Sequence, residues 1–318
     1  MSAEAPPFDQ ADAADFPPCE IALVTWEDLP DGAADDRPLF EALERRGRQV
    51  RFLCWNDETV DWTRVGVAVL RSTWNYHKQP ETFLGWLDAA EFQTRLVNSA
   101  AVARWNLDKR YLRALAAKGI LTTPTVFVDR GDGRTLREIC EIRDWNDVVV
   151  KPAVSCAAHD TQRFADRAID DEGDAHLAAI TQTRIAMIQP FLPAVNFERE
   201  RSLMFVAGEY SHAVLRTAFN PGGEHSEDPF DASDAEIDFA RETLAAAESI
   251  LEERLAYARV DLIPSADGPM LMELELVEPS LFLIHRAQAA EDLADLLEGI
   301  WRTAPPPPAL ERGRRSSW

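Results

Sequence analysis

The stretch ARVDLIPSADGPMLMELELVEPS, residues 258–280, decides how the rest of the chain is read. Two apolar runs flank SADG, a turn signal. Carboxylates interrupt both runs, although strands normally exclude them. In a strand, residues i and i+2 point to the same face. Arg259, Asp261 and Ile263 therefore share one face of their strand, and Glu273 and Glu275 share one face of theirs. Val260, Leu262, Met272, Leu274 and Leu276 fall opposite and are expected to pack into a core. Pairing Pro264 with Met270 sets Asp261 opposite Glu273, whereas a one-residue slip breaks the match of faces. Three carboxylates on one patch repel one another. A divalent cation removes that cost, and Mg²⁺ takes hard oxygen ligands together with substrate phosphates. A half-exposed strand with scattered acids gives the same alternation, so the hairpin alone leaves both readings open.

Upstream, short apolar strands alternate with amphipathic helices. CEIALVTW, QVRFLCW, VGVAVLR and RLVN read as strands, RPLFEALERRG and PETFLGWLDAA as helices. Gly47 closes the first helix and Pro80 opens the second. This order argues a parallel, doubly wound sheet. NLDKRYLRALAAKGI reads as one helix ending at Gly119, with Lys109 in its first turn and Asn106 or Asp108 as its cap. TPTVFV and DVVVKPA read as strands around the helix TLREICEIR, and AHLAAITQTR is helical. IAMIQPFL and RSLMFVAGEYSHAVLR read as antiparallel strands, the latter a hairpin turning at Ala207-Gly208-Glu209. FNPGGEHSEDPF reads as a polar loop, and residues 233–255 as one long helix. Residues 1–18 and 303–318, rich in Ala, Asp, Pro and Arg, read as disordered tails.

The 318 residues are 46% apolar, enough for two or three packed units, and carry a formal charge of −22. That balance argues against nucleic acid, which needs a basic surface, and against anionic membranes. Cys19, Cys54, Cys140 and Cys156 are widely spaced with no CxxC, which fits a reducing, cytoplasmic setting. No apolar run approaches the ~20 residues of a bilayer span. There is no GxSxG, HExxH or Walker A sequence. His212 lies inside a strand and reads as a satisfied structural histidine.

Lys109, Lys151, residues 189–192, Glu200, Arg259-Val-Asp261 and Glu273-Leu-Glu275, in that order, resemble the ATP-grasp superfamily. LRSTWNYH, WNLDKRYL, VVKPAVS, QPFLP, ERSLMF, YSHAVLR and ARVDL carry a closer similarity to its RimK-like and glutathione-synthetase-like branch, which includes the cycloserine-forming ligase. The resemblance spans roughly residues 20–300 and implies an α/β (α+β) fold in three parts. These are an N-terminal substrate domain with a doubly wound parallel sheet (19–100), a small central α/β subdomain (101–190), and a C-terminal antiparallel-sheet subdomain (191–302). ATP would lie between the last two.

It also implies roles. Lys109 and Lys151 would contact ATP phosphates. Gln189 and the backbone at Phe191 and Leu192 would hold the adenine. Glu200, or Glu198 on the same strand face, would bind the ribose. Asp261, Glu273 and Glu275 would bind Mg²⁺ or Mn²⁺, and Arg259 and Arg216 would stabilise the transferring phosphoryl group. Glu275 stands where many members have Asn, and either offers an oxygen. Family loops over the phosphates are usually Gly-rich, yet AVSCAAHDT has no Gly. At the end of the third strand, where open α/β sheets bind ligands, Arg71 could pair with a substrate carboxylate. Ser72, Trp74, Tyr76 and His77 could shape that pocket, or Trp74 and Tyr76 could simply pack beneath a loop. The implied reaction joins small-molecule carboxylate and amine substrates through an acyl phosphate, in a homodimer or homotetramer. A catalytically weak ATP-binding protein and an acidic metal-binding interaction module are the alternatives.

Overall fold

The computed structural model describes residues 17–156, 158–217 and 226–303. The expected tails lie almost wholly outside these residues. Four parallel strands come first: β1 (Cys19–Thr25), β2 (Val50–Cys54), β3 (Val65–Leu70) and β4 (Arg95–Val97), in the order β2-β1-β3-β4. Helices α1 (Arg37–Arg45), α2 (Pro80–Glu91) and α3 (Ala100–Leu107) surround them. Because both faces are covered, the strands read as continuous apolar runs. Ile21 and Leu23 of β1 pack into one core with α1, while Ala22 and Val24 pack into another with α2 and α3.

Next come α4 (Tyr111–Ala117), β5 (Val126–Val128), α5 (Leu136–Arg143), β6 (Asp147–Pro152), β7 (Gln162–Ala165), α6 (Asp171–Thr181) and β8 (Ala186–Pro190). The strands form an antiparallel sheet, β5-β8-β6-β7, with its own core. Thr135 opens α5 with a capping box to Glu138. The last section holds α7 (Ala194–Phe197), β9 (Glu200–Val206), β10 (Glu209–Arg216), β11 (Glu227–Phe230), α8 (Asp234–Leu251), β12 (Tyr257–Ser265), β13 (Gly268–Glu275) and α9 (Ala287–Thr303). Its sheet is antiparallel, β11-β10-β9-β12-β13. Ala207 and Gly208 both take positive φ in the β9–β10 turn, the conformation a two-residue hairpin loop demands.

Five sequence expectations need correction. The single helix expected over 106–120 is two, α3 and α4, and Lys109 sits in the break between them. Asn106 is not a cap: it is buried, donates to Leu274 O (2.8 Å) and accepts from Leu276 N (2.7 Å), riveting α3 to the edge of β13. Residues 227–230, read within a polar loop, form β11 on the edge of the last sheet, and the rest of that loop from 218 to 225 lies outside the described residues. Helix α9, read with the C-terminal unit, packs on α1 and the first sheet. There Arg46 pairs with Glu291 and Asp295, and Arg48 stacks on Trp301.

The fifth correction concerns the hairpin. Near its turn Pro264 pairs with Pro269 and Leu262 with Leu271, one residue off the expected register. A bulge at Met272 then restores Asp261 opposite Glu273 and Arg259 opposite Glu275. Bulges recur beside active sites because they re-aim a side chain. Met272, expected in the core, accordingly lines the cleft. The outer edge of β13 is also covered, by Thr123 N–H to Leu271 O (2.9 Å) and Leu271 N–H to Leu121 O (2.9 Å). At Leu271 that edge is closed to pairing with another chain.

Candidate active site

A cleft of about 460 Å³ opens between the second and third sheets, within the range of small-molecule sites. Lys109, Lys151, Gln189, Phe191, Leu192, Glu200, Arg216, Arg259, Glu273 and Glu275 all line it, as do Trp74 and Tyr76. Residues separated by 166 positions thus meet in one cavity.

The break between α3 and α4 positions Lys109. Its backbone N–H donates to Ala153 O (2.9 Å), and its ammonium donates to Ser155 O (3.0 Å) and pairs with Glu273 (2.9 Å). It therefore tethers the segment after β6. That segment is Gly-free, yet Ala158 and Asp160 adopt positive φ. Asp160 is held there by Arg184 (2.6 Å) and by its own carbonyl against His176 Nε2 (3.0 Å). Lys151, at the end of β6, makes no ion pair among the described residues. Burial pushes its ammonium pKa below the usual lysine range, and Glu273 only partly offsets this.

Across the cleft, Arg259 grips Asp261 through Nε (3.0 Å) and Nη2 (3.0 Å) and also contacts Glu275. Arg216 donates to Ser202 Oγ (2.8 Å), contacts Glu200 and reaches Asp261 (3.2 Å). Burial pushes the Glu200 carboxyl up, with Arg216 opposing. Burial acts the same way on Glu273, but Lys109 and Lys151 outweigh it and hold that carboxyl at about 2. Glu275 is pushed up to about 8 by burial, only partly offset by Arg259.

The structure does not assemble the three expected metal ligands. Asp261 is 1% exposed, beneath Ser202 and the two arginines. Among the described residues no three His, Cys, Asp or Glu side chains are close enough to hold an ion together. Glu273 and Glu275 do reach the cleft. Their carboxylate oxygens are the hard donors that Mg²⁺ takes together with substrate phosphates, so these two residues fit Mg²⁺.

Other expected site residues lie elsewhere. Arg71 is 1% exposed, paired with Asp36 (2.9 Å) and donating to Pro279 O (3.1 Å). Ser72 is buried on the same Asp36 (3.0 Å). His77 is half-buried with its ring against His159, 4.9 Å away, outside the cleft lining. Glu198 is not on the strand with Glu200; it caps α7 and pairs with Arg201 (3.3 Å). The Phe191 amide is already committed to Asp147 O (2.8 Å), and Gln189 donates to Thr125 Oγ1 (3.0 Å). His212 is satisfied as expected, by Ser211 Oγ (3.0 Å) and Phe282 O (3.2 Å).

Glu278 was not singled out from the sequence, although it too lines the cleft. It follows β13, where the strand period no longer says which way a side chain points. Its only sequence signal is the spacing Glu273, Glu275, Glu278 just before Pro279.

Fold and cleft are those of an ATP-grasp ligase, and known proteins agree. Residues 21–98 match the family model of the N-terminal domain of D-cycloserine synthetase DcsG. The cycloserine biosynthesis protein DcsG of Streptomyces lavendulae is 35% identical over 277 residues, covering 83% of this chain and 92% of that protein. The crystal structure of D-cycloserine synthetase DcsG superposes with a TM-score of 0.81 at 33% identity, over 88% of this chain and 99% of that one. D-alanine–D-alanine ligase from Bacillus anthracis, solved with ATP, shares the fold with a TM-score of 0.65 at 14% identity, covering 89% and 97% of the two chains. The chain belongs to the DcsG family of ATP-grasp enzymes and is an ATP-dependent carboxylate–amine ligase.

Proposed function

We propose that the cleft holds Mg²⁺-ATP and a small amino-acid substrate, and that the enzyme closes a ring by joining an amine and a carboxylate of one molecule. Ring closure is inferred from the names of the DcsG relatives. The observation that carries the nucleotide reading is Lys151: a partly buried ammonium with no protein anion within ion-pair distance among the described residues, facing the cleft. A phosphate would supply the missing charge.

In this reading Lys109 and Lys151 bind phosphates, Gln189 and the Leu192 backbone face the adenine, and Glu200 faces the ribose. The substrate carboxylate oxygen attacks the γ-phosphorus and ADP leaves with the bonding electrons. The amine nitrogen then attacks the acyl carbon, phosphate leaves, and the nitrogen loses a proton. Arg216 and Arg259 are fixed before substrate arrives, by Ser202, Glu200 and Asp261, so little reorganisation is needed to stabilise the phosphoryl charge. Mg²⁺, or Mn²⁺ in its place, held by Glu273 and Glu275, would neutralise phosphate oxygens. We place the enzyme in the cytoplasm as a homodimer or homotetramer; all four cysteines are free, as a reducing compartment keeps them.

The test is ADP release with Mg²⁺-ATP against D- and L-amino acids and their ring-closing derivatives, with products resolved by mass. A cyclic product from one substrate, lost in Lys151→Met, is expected. A product joining two molecules would refute ring closure and leave the ligase. ATP binding equal in wild type and Lys151→Met would remove Lys151 from the nucleotide site.

A further inference from the structure

The charges in the cleft are almost all matched. Glu273 has Lys109, Glu275 has Arg259, Asp261 has both arginines, and Glu200 has Arg216. Glu278 stands apart. It is 7% exposed, lines the cleft, and has no ion pair among the described residues. Its backbone is fixed, because Trp74 Nε1 donates to Glu278 O (3.4 Å) and Pro279 O accepts from the buried Arg71 (3.1 Å). Its position is therefore set by the first sheet's loop, not by the nucleotide end of the cleft.

Burying an unpaired carboxylate is costly unless a partner arrives. The side chains near Glu278 give a partial answer: the Tyr76 hydroxyl is close enough to act as a donor, and burial still leaves the carboxyl pushed up to about 7. Trp74 and Tyr76 supply aromatic walls at this end. An anion flanked by aromatic rings in a desolvated recess favours a compact cation. Lys151 is the complementary case, a partly buried cation awaiting an anion.

We propose that Glu278 binds the ammonium group of the substrate, with Trp74 and Tyr76 as the walls of that subsite, so that the enzyme selects α-amino acids over other carboxylic acids. This rests on the ligase reading above. The unpaired carboxylate and the unpaired lysine set the two ends of the substrate complex. The two fixed arginines, where phosphoryl transfer would occur, line the same cleft.

The experiment measures ADP release with Mg²⁺-ATP for α-amino acids and for the same carboxylic acids lacking the α-nitrogen. Wild type, Glu278→Gln and Glu278→Asp are compared, with melting curves to establish that each variant folds. Wild type should prefer the amino acids by roughly 10- to 200-fold in kcat/KM, the range for a charge-assisted hydrogen bond. Glu278→Gln should raise KM for the amino acid about as far and erase the preference. It should leave KM for ATP and the Mg²⁺ half-saturation unchanged. Glu278→Asp should keep part of the preference.

Equal use of both acid sets by wild type would overturn the proposal, as would an unchanged KM in a folded Glu278→Gln. A shift in Mg²⁺ half-saturation alone would make Glu278 a metal ligand instead. If only acids without the α-nitrogen turn over, the ligase reading stands and the ammonium subsite falls. If no acid of either set turns over while ATP binds, both fall.

Discussion

Replacing either cleft lysine by Met should separate nucleotide binding from folding, with opposite effects on stability. Lys151 is partly buried with no ion pair among the described residues, so without ATP it costs stability. Lys151→Met should leave Tm unchanged or raise it by a few degrees. Lys109 has Glu273 at 2.9 Å and Ser155 O at 3.0 Å. Lys109→Met strands a carboxylate whose side chain is 28% exposed, so the ~3–5 kcal/mol lost on breaking a fully buried pair is discounted to about 1–3 kcal/mol. At about 2 °C per kcal/mol for a chain this long, Tm should drop by roughly 2–6 °C. ATP binding should move the same way in both. A charge-assisted hydrogen bond contributes about 1.5–3 kcal/mol, so Kd for Mg²⁺-ATP should rise about 10- to 200-fold. Calorimetric titration and thermal melts measure the two quantities independently. A Lys151→Met protein that melts as low as Lys109→Met and binds ATP normally would refute the reasoning.

Glu273→Gln should lower kcat by about 100-fold or more while shifting Tm only a few degrees, because the amide oxygen still accepts from Lys109; parallel loss of both would make Glu273 structural. Arg71→Met should destabilise by about 3–5 kcal/mol, since it breaks the buried pair with Asp36, yet leave KM for ATP alone in the folded protein. A changed KM with an unchanged urea midpoint would put Arg71 back at the substrate. His212 supplies a pH signature. Burial lowers its pKa to about 4 in the folded chain, against about 6.5 unfolded. Between these values the unfolded state binds more protons, so stability falls as pH drops from about 6.5 toward 4. Discounted for partial exposure, the loss is roughly 2 kcal/mol. His212→Asn should flatten that slope in urea titrations, and an unaltered slope would assign the acid sensitivity to other groups.

The fold was legible where chemistry repeats along the chain. Apolar runs of β1 and β3 announced a sheet covered on both faces, and paired alternation announced the β12–β13 hairpin. The cleft lysines and arginines were legible through order and spacing. What escaped depends on one-residue events or distant partners. A bulge at Met272 changes the register without leaving a mark in the alternation. Arg71 looks like a substrate arginine until Asp36, 35 residues earlier, is seen to neutralise it. Asp261 lies under two arginines of its own sheet, contacts that the alternation along its strand does not announce. Glu278 lies just past the last strand, where no periodicity assigns a face.

The rivet between Asn106 and β13 sets a schedule for synthesis. Its two hydrogen bonds join residues 168 and 170 positions apart. At about 5–20 residues per second on the ribosome, α3 waits roughly 10–30 s for the strand it fastens. Helix α9, which covers the first sheet, emerges later still. For that interval the first sheet is paired strand to strand, with α1 alone on the face that it later shares with α9. Lys109 meanwhile rides on a segment whose partner, Glu273, has not been made. A chaperone that shelters nascent apolar surface therefore has its longest opportunity here, on the half of the chain that leaves the ribosome first.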